Sequence, residues 1–275
     1  MSDEQPPSTP PILAEKQYAA PSVFDVANLM REARRQKGLP AGDVPPICVL
    51  DPDGDLVDYL RASGQARTHP AWACYHTTLD VFDLDGCELG VVGRAVGASF
   101  AVLVAEELFV SGCRLLISVT SAGQVTPLGP TPYFVLIERA LRDEGTSYHY
   151  LPPARYSALE PGLCERLTAA WDHQHAPRYV GSSWTTDAPF RETAQAIAAA
   201  HAERIAAVEM EAAALYALAS AKGYPIVCYA HVTNTMATAG DDFEKGPDQG
   251  SQATLAIIGE TARIWRGADR GATLS

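Results

Sequence analysis

The sequence predicts an α/β fold in which helices cover a parallel β-sheet. Three observations carry that expectation. Residues 87–125 read in turn as strand, glycine turn, apolar helix and strand, which is a βαβ unit and therefore a parallel pair. Two further runs, 47–50 and 226–232, are short and almost wholly apolar, as strands covered on both faces are. The chain of 275 residues is 47% hydrophobic and has no linker dividing it, so a single domain is expected.

Composition narrows the function classes. The net charge of −12 disfavours nucleic acid polymers and anionic membranes as partners. No apolar run reaches the roughly 18 residues of a membrane span. The first residues lack the basic and apolar regions of a secretory signal. The six cysteines are scattered, mostly among apolar neighbours, which suits reduced thiols in a cytoplasmic protein.

Taken in order, residues 1–22 carry five prolines and read as an extended or disordered tail, leaving 23–275 as the domain. Val23, Val26, Leu29 and Met30 recur at helical spacing, and Gly38 ends that helix. The strand 47–50 runs into Asp51-Pro52-Asp53-Gly54-Asp55, a strand-to-helix turn with an aspartate as N-cap. Its alternating aspartates match a calcium loop only in part, because Leu56 stands at the sixth position and Ala62 at the twelfth, so no metal is expected.

In the βαβ unit, Gly97 opens the helix and Gly112 closes it. The next strand, 115–119, ends in the turn Thr120-Ser121-Ala122-Gly123. Ligands of parallel sheets bind at the C-terminal ends of strands, which points to 93–99 and 120–123. Residues up to Gly145 read as the end of a helix, and 146–150 as a strand. A further strand ends at Gly181, before a polar loop holding Trp184, Asp187 and Phe190. Residues 208–219, VEMEAAALYALA, read as a buried helix that begins with carboxylates, where the helix dipole tolerates them. After the strand 226–232 come Thr233-Asn234-Thr235, a polar loop over 237–251, and a final helix burying Ile257, Ile258, Ala262 and Ile264.

The string VEMEAAALYALA resembles the signature of the nucleoside phosphorylase and nucleosidase superfamily. Gly97-Ala98-Ser99-Phe100 with Glu106-Glu107-Leu108, and Thr120-Ser121-Ala122-Gly123, resemble two more of its motifs. The resemblance covers roughly residues 45–265. It implies one domain with a central mixed sheet flanked by helices, a homo-oligomer, and cleavage of the N-glycosidic bond of a nucleoside. It also implies that Met210 and Glu211 hold the ribose, with Glu209 beside them, and that Asn234 meets the base. Trp184 and Phe190 are candidates for stacking on the base, while Gly97, Ser121 and Gly123 line the substrate and nucleophile pocket.

Two departures bear on the chemistry. Where phosphorylases of the family carry Gly-Asp-Pro-x-Arg, Leu50 replaces the glycine, and Gly54 and Asp55 stand where the arginine belongs. The strand-end arginine is replaced by Ser118, or by Ile117 one register away. Arg142 is the one basic residue in a family motif left to meet an anion, the alternative being an exposed salt-bridging arginine. A carboxylate repels phosphate, so water is favoured as nucleophile, with Asp55, and behind it Asp53, as base. No cofactor is implied beyond phosphate as a possible co-substrate. The alternatives are a phosphate-dependent phosphorylase of a 6-oxopurine nucleoside or uridine, and a nucleoside-binding protein without turnover. The latter is suggested by Asn234, since an amide cannot supply the full proton given by the family's aspartate.

Overall fold

The computed structural model describes residues 9–14, 16–171, 177–235, 243 and 245–272. The elements in chain order are α1 (Val26–Lys37), β1 (Ile47–Asp51), α2 (Asp55–Ala62), β2 (Arg67–Thr68), β3 (Asp80–Leu84), β4 (Cys87–Gly93), α3 (Ala98–Val110), β5 (Leu115–Gln124), β6 (Tyr133–Asp143), β7 (Tyr156–Ala158), α4 (Pro161–Ala169), β8 (Arg178–Thr186), α5 (Ala194–Ala202), β9 (Ala207–Glu209), α6 (Ala212–Lys222), β10 (Ile226–Asn234) and α7 (Ser251–Ala272).

One mixed sheet holds all ten strands in the order β10-β6-β8-β9-β5-β1-β4-β3-β2, with β7 on β6. Strand β10 also pairs with β5, so β5, β10, β6, β8 and β9 close into a ring from which β1 to β4 extend. Strands β1, β4, β5 and β10 are mutually parallel. The βαβ unit forms as the sequence predicts, with β1 inserted between its two strands.

Local chemistry explains where several helices start and stop. Asp25 caps α1 by accepting the Asn28 N–H at 2.8 Å, so the helix begins three residues after Val23, which is fully exposed. Gly38 closes α1 in the left-handed conformation. At α2 the cap position is Gly54, at φ +88°, and the capping carboxylate comes from the strand instead: Asp51 accepts the Val57 N–H at 3.0 Å. Helix α6 is buried through to Leu218, and its alanines let the backbone come close to β7, where the Ser157 hydroxyl donates to the Ala213 carbonyl at 2.6 Å.

Five sequence expectations need correcting, four of them where strand pairing outruns local signals. Strand β5 continues through Gln124, because β10 and β9 pair with residues 120–124. Strand β8 continues past Gly181 to Thr186 on β6 and β9. Strand β10 includes Thr233 and Asn234. The stretch before Gly145 is not a helix: β6 pairs with β10 and β8 and runs to Asp143, and a 3-10 turn, Thr146–His149, replaces the expected strand. The signature stretch is not one helix, since Val208 and Glu209 belong to β9 and the helix starts at Ala212.

Of the proline-rich tail, residues 1–8 lie outside the described residues. Pro11–Leu13 forms a 3-10 turn, and Lys16 Nζ lies 3.1 Å from His149 Nδ1. The polar loop expected over 237–251 lies partly outside the described residues, and Pro247–Gly250 forms a 3-10 turn leading into α7. There Gly250 has φ +75°, and a Cβ at this position would stand 2.3 Å from His231 Cε1 and 2.8 Å from the Lys245 carbonyl oxygen. Gly250→Ala is therefore expected to cost about 3 kcal/mol or more, from left-handed strain plus overpacking. Urea denaturation measures it, and an unchanged midpoint would refute this packing.

Candidate functional site

The parallel strands β1, β4, β5 and β10 bring their C-terminal ends to one side of the sheet, the usual place for a ligand in such folds. The 51–55 turn, Gly97, residues 120–123 of β5, Glu211 and the end of β10 gather there. The Asp51 carbonyl accepts the N–H of Gly54 at 3.0 Å and of Arg94 at 2.9 Å, tying the turn to the loop after β4.

Glu211 is the buried acid of the site. It accepts the Gly97 N–H at 2.7 Å and the Met210 N–H at 3.3 Å, and the Thr120 hydroxyl also bonds to it. Burial pushes its carboxyl up to about 8, and the neighbouring charge of Glu209 adds to the shift. A carboxyl raised this far favours its protonated form at neutral pH. A diol donating two hydroxyls to this group would favour its carboxylate form.

Glu209, expected among the substrate-binding residues, has a different job. One oxygen accepts the hydroxyls of Ser183 at 2.9 Å and Thr185 at 2.5 Å, and the other accepts the N–H groups of Glu211 and Ala212, both at 2.7 Å. Both oxygens are saturated by the protein, and the residue caps α6 and orients Glu211. Burial raises its carboxyl too, opposed by these donors.

Asp53 faces the end of β5. Its two oxygens accept the Ser121 hydroxyl at 2.8 Å and the Ser121 N–H at 2.7 Å. Its charge also acts on Glu211, so the two acids belong to one site. Lys245, from the segment before α7, donates to Asp55 and stands 3.6 Å from Asp53 Oδ2. Beneath them Asp51, Asp53, Asp55, Ser121, His231 and Lys245 line a small polar cavity. Burial pushes Asp51 up to about 6. His231 lies stacked on Phe134 at 4.3 Å and is pushed down to about 4 by burial and by the Lys245 charge, so it is neutral at pH 7. Among the described residues no group of three His, Cys, Asp or Glu side chains is placed to hold a metal.

The structure thus brings together Glu211, Met210, Gly97, Ser121, Gly123, Asn234 and Asp55. Asn234 pairs with Gly123 across the strands, its amide 3.5 Å from the Ala122 carbonyl. Two candidates fall elsewhere. Trp184 is 4% exposed, packed with Val125, Ala200, Ile205 and Val208, and its indole N–H donates to Asp143 at 2.9 Å, so no ring face is open to a base. Arg142 is buried and donates to Ser147 Oγ and to the carbonyls of Pro152 and Leu151, while burial lowers its pKa. It holds the 146–152 turn rather than an anion. Phe190, on the turn after β8, is 99% exposed. Sequence reasoning placed Thr120 within the ligand-facing turn 120–123 but missed His231 and Lys245. Lys245 reaches Asp55 across 190 positions, and no local pattern marks it.

Comparison with known proteins agrees with this architecture. Residues 46–262 match the family model described as the phosphorylase superfamily. A guanosine phosphorylase of Halorubrum lacusprofundi is 28% identical over 191 residues, covering 66% of this chain and 75% of that protein. The fold resembles the crystal structures of a uridine phosphorylase from Vibrio fischeri (TM-score 0.67, 19% identity, 81% of this chain and 95% of that one). It also resembles a purine nucleoside phosphorylase from Toxoplasma gondii in complex with immucillin-H (TM-score 0.67, 15% identity, 82% and 93%). No helix among the described residues is long and apolar enough to cross a membrane. With the family model matching most of its length and the fold agreeing, the chain belongs to the phosphorylase superfamily, a family of glycosyl-bond-cleaving enzymes.

Proposed function

We propose that this protein hydrolyses the N-glycosidic bond of a nucleoside. The observation that carries the choice of water over phosphate is the bidentate contact of Asp53 with Ser121. A phosphate oxygen needs donors of the kind that Ser121 offers at the end of β5, and here an internal carboxylate already takes both. Two further carboxylates, Asp51 and Asp55, surround the place, and Lys245 is engaged with Asp55. An arriving phosphate would meet like charge.

In this reading Glu211 grips the ribose hydroxyls and Met210 packs against the sugar. Positive charge builds on the sugar as the bond to the base breaks. Asp53 takes a proton from the attacking water, and its contact with Ser121 makes it a better-placed base than Asp55. Asn234 hydrogen-bonds the departing base, which suits a base needing little protonation, such as a 6-oxopurine. Phosphorolysis is the second reading, favoured by the likeness to a guanosine phosphorylase.

The test is chromatography of purified protein with inosine, guanosine, adenosine, uridine and methylthioadenosine, each with and without phosphate. Free base released equally in both buffers supports hydrolysis. Release only with phosphate, yielding ribose 1-phosphate, overturns it. Nucleoside binding by calorimetry without release in either buffer would indicate a binding protein.

A further inference from the structure

We infer that Lys245 is a positioning residue for the carboxylate pair of the 51–55 turn: it holds Asp53 and Asp55 in place, and so sets the orientation of the base. The inference rests on the hydrolytic reading above and adds to it a residue from the far end of the chain.

The geometry is specific. Lys245 is half-buried at the head of the segment that leads into α7, and its ammonium bridges two carboxylates of one turn, bonded to Asp55 and 3.6 Å from Asp53. Asp53 in turn bonds to Ser121 through both oxygens. A continuous line therefore runs from Lys245 through Asp53 to β5 and the site of Glu211. The segment carrying the lysine is fixed at its other end too. Gly250 lies against the His231 ring with no room for a side chain, and the Ser251 hydroxyl reaches the Asp55 carbonyl at 3.5 Å.

Charge accounting shows what the lysine does. The groups facing the turn are Asp51 on β1, Ser121 and Thr120 on β5, His231 on β10, Glu211 before α6 and, after β4, Arg94, whose guanidinium lies against Gly54 and is paired with Asp58. His231 is held neutral and Arg94 is paired with Asp58, so neither offsets the charge of Asp53 and Asp55. Lys245 is the cation in contact with both. Burial alone would lower its pKa, but Asp55 and Asp53 outweigh that and hold the ammonium above its ordinary value. Without it, two carboxylates two residues apart would stand in a partly buried turn with only repulsion between them.

The lysine acts through Asp53 and not on the substrate, so its removal should lower kcat while leaving nucleoside affinity alone. The experiment measures Lys245→Met and Lys245→Arg against wild type. The readouts are phosphate-free base release from pH 5 to 9, nucleoside Kd by calorimetry with the non-hydrolysable ligand formycin B, and melting temperature. Lys245→Met is expected to lower kcat at least tenfold, because the turn loses the ammonium that orients its two carboxylates. Formycin Kd should stay within about twofold, and Lys245→Arg should restore most of the rate. An unchanged kcat in folded Lys245→Met, or no recovery in Lys245→Arg, overturns the inference. If wild type turns over only with phosphate, hydrolysis itself has failed. In that case a rise confined to the phosphate KM of Lys245→Met would make the lysine a phosphate ligand, which also overturns the positioning role.

Discussion

Glu211→Ala is expected to lower kcat/KM for nucleoside cleavage by about a thousandfold, or about 4 kcal/mol of transition-state stabilisation. The residue is buried, oriented by Glu209 through its own N–H, and held by Gly97 and Thr120, so its carboxyl has one geometry to offer a sugar. The fold should survive. The substitution leaves the Gly97 N–H without this acceptor, a cost of about 1–3 kcal/mol, but it also removes an acid whose ionised form is disfavoured there. A folded Glu211→Ala protein with wild-type turnover would refute the ribose-binding role.

The same residue gives a pH signature. Its carboxyl is held near 8 in the folded protein and titrates near 4.5 when exposed. Between those values the folded state keeps a proton that the unfolded chain releases. Stability from this group is thus fully present below about 4.5 and is lost as pH rises toward 8. Asp51, raised to about 6, adds to the fall over the lower part of the range. Melting temperatures from pH 5 to 9 should decline in wild type and decline less in Glu211→Gln, which stays neutral throughout. Equal slopes would show that Glu211 ionises freely in the folded protein. Because ribose hydroxyls favour the carboxylate, nucleoside affinity should rise through the same range.

Asp53→Asn is the second large effect. Loss of a general base lowers kcat by about 10²–10⁴, and an amide can still bond to Ser121, so the turn should keep its shape. Asp55→Asn should cost less, because Asp55 is spent on Lys245 and lies outside the contact with β5. Parallel phosphate-free assays of the two variants decide between them, and a larger loss in Asp55→Asn would transfer the role to Asp55. Removing the charge of Asp53 should also ease phosphate into the site, so a gain of phosphate-stimulated release in Asp53→Asn would show that this carboxylate excludes it.

Much of the architecture could be read from residues alone. The apolar runs 47–50 and 226–232 and the 87–125 unit gave the parallel strands, because a strand covered on both faces has no polar side to show. The alanines of α6 announced a helix packed closely on every side. The resemblance carried by VEMEAAALY pointed to Glu211, and the folded chain buries that residue beneath Gly97. Strand ends were harder to read. Residues 120–124, 182–186 and 233–234 look like polar turns, yet each is extended because a partner strand satisfies its backbone, and that partner lies far away in sequence.

The sequence by itself determined the fold class, the family and the unusual acidity of the turn at 51–55, since each depends on residue types and spacings within short local stretches. Only the tertiary structure decided which carboxylate does what. Glu209 and Glu211 are two positions apart, but one is saturated by Ser183, Thr185 and α6 while the other faces the site. Asp53 and Asp55 are also two apart, but Ser121 takes one and Lys245 the other. The physical reason is common to both pairs. A buried or half-buried charge is defined by the donors around it, and those donors arrive from strands and segments that only folding brings together.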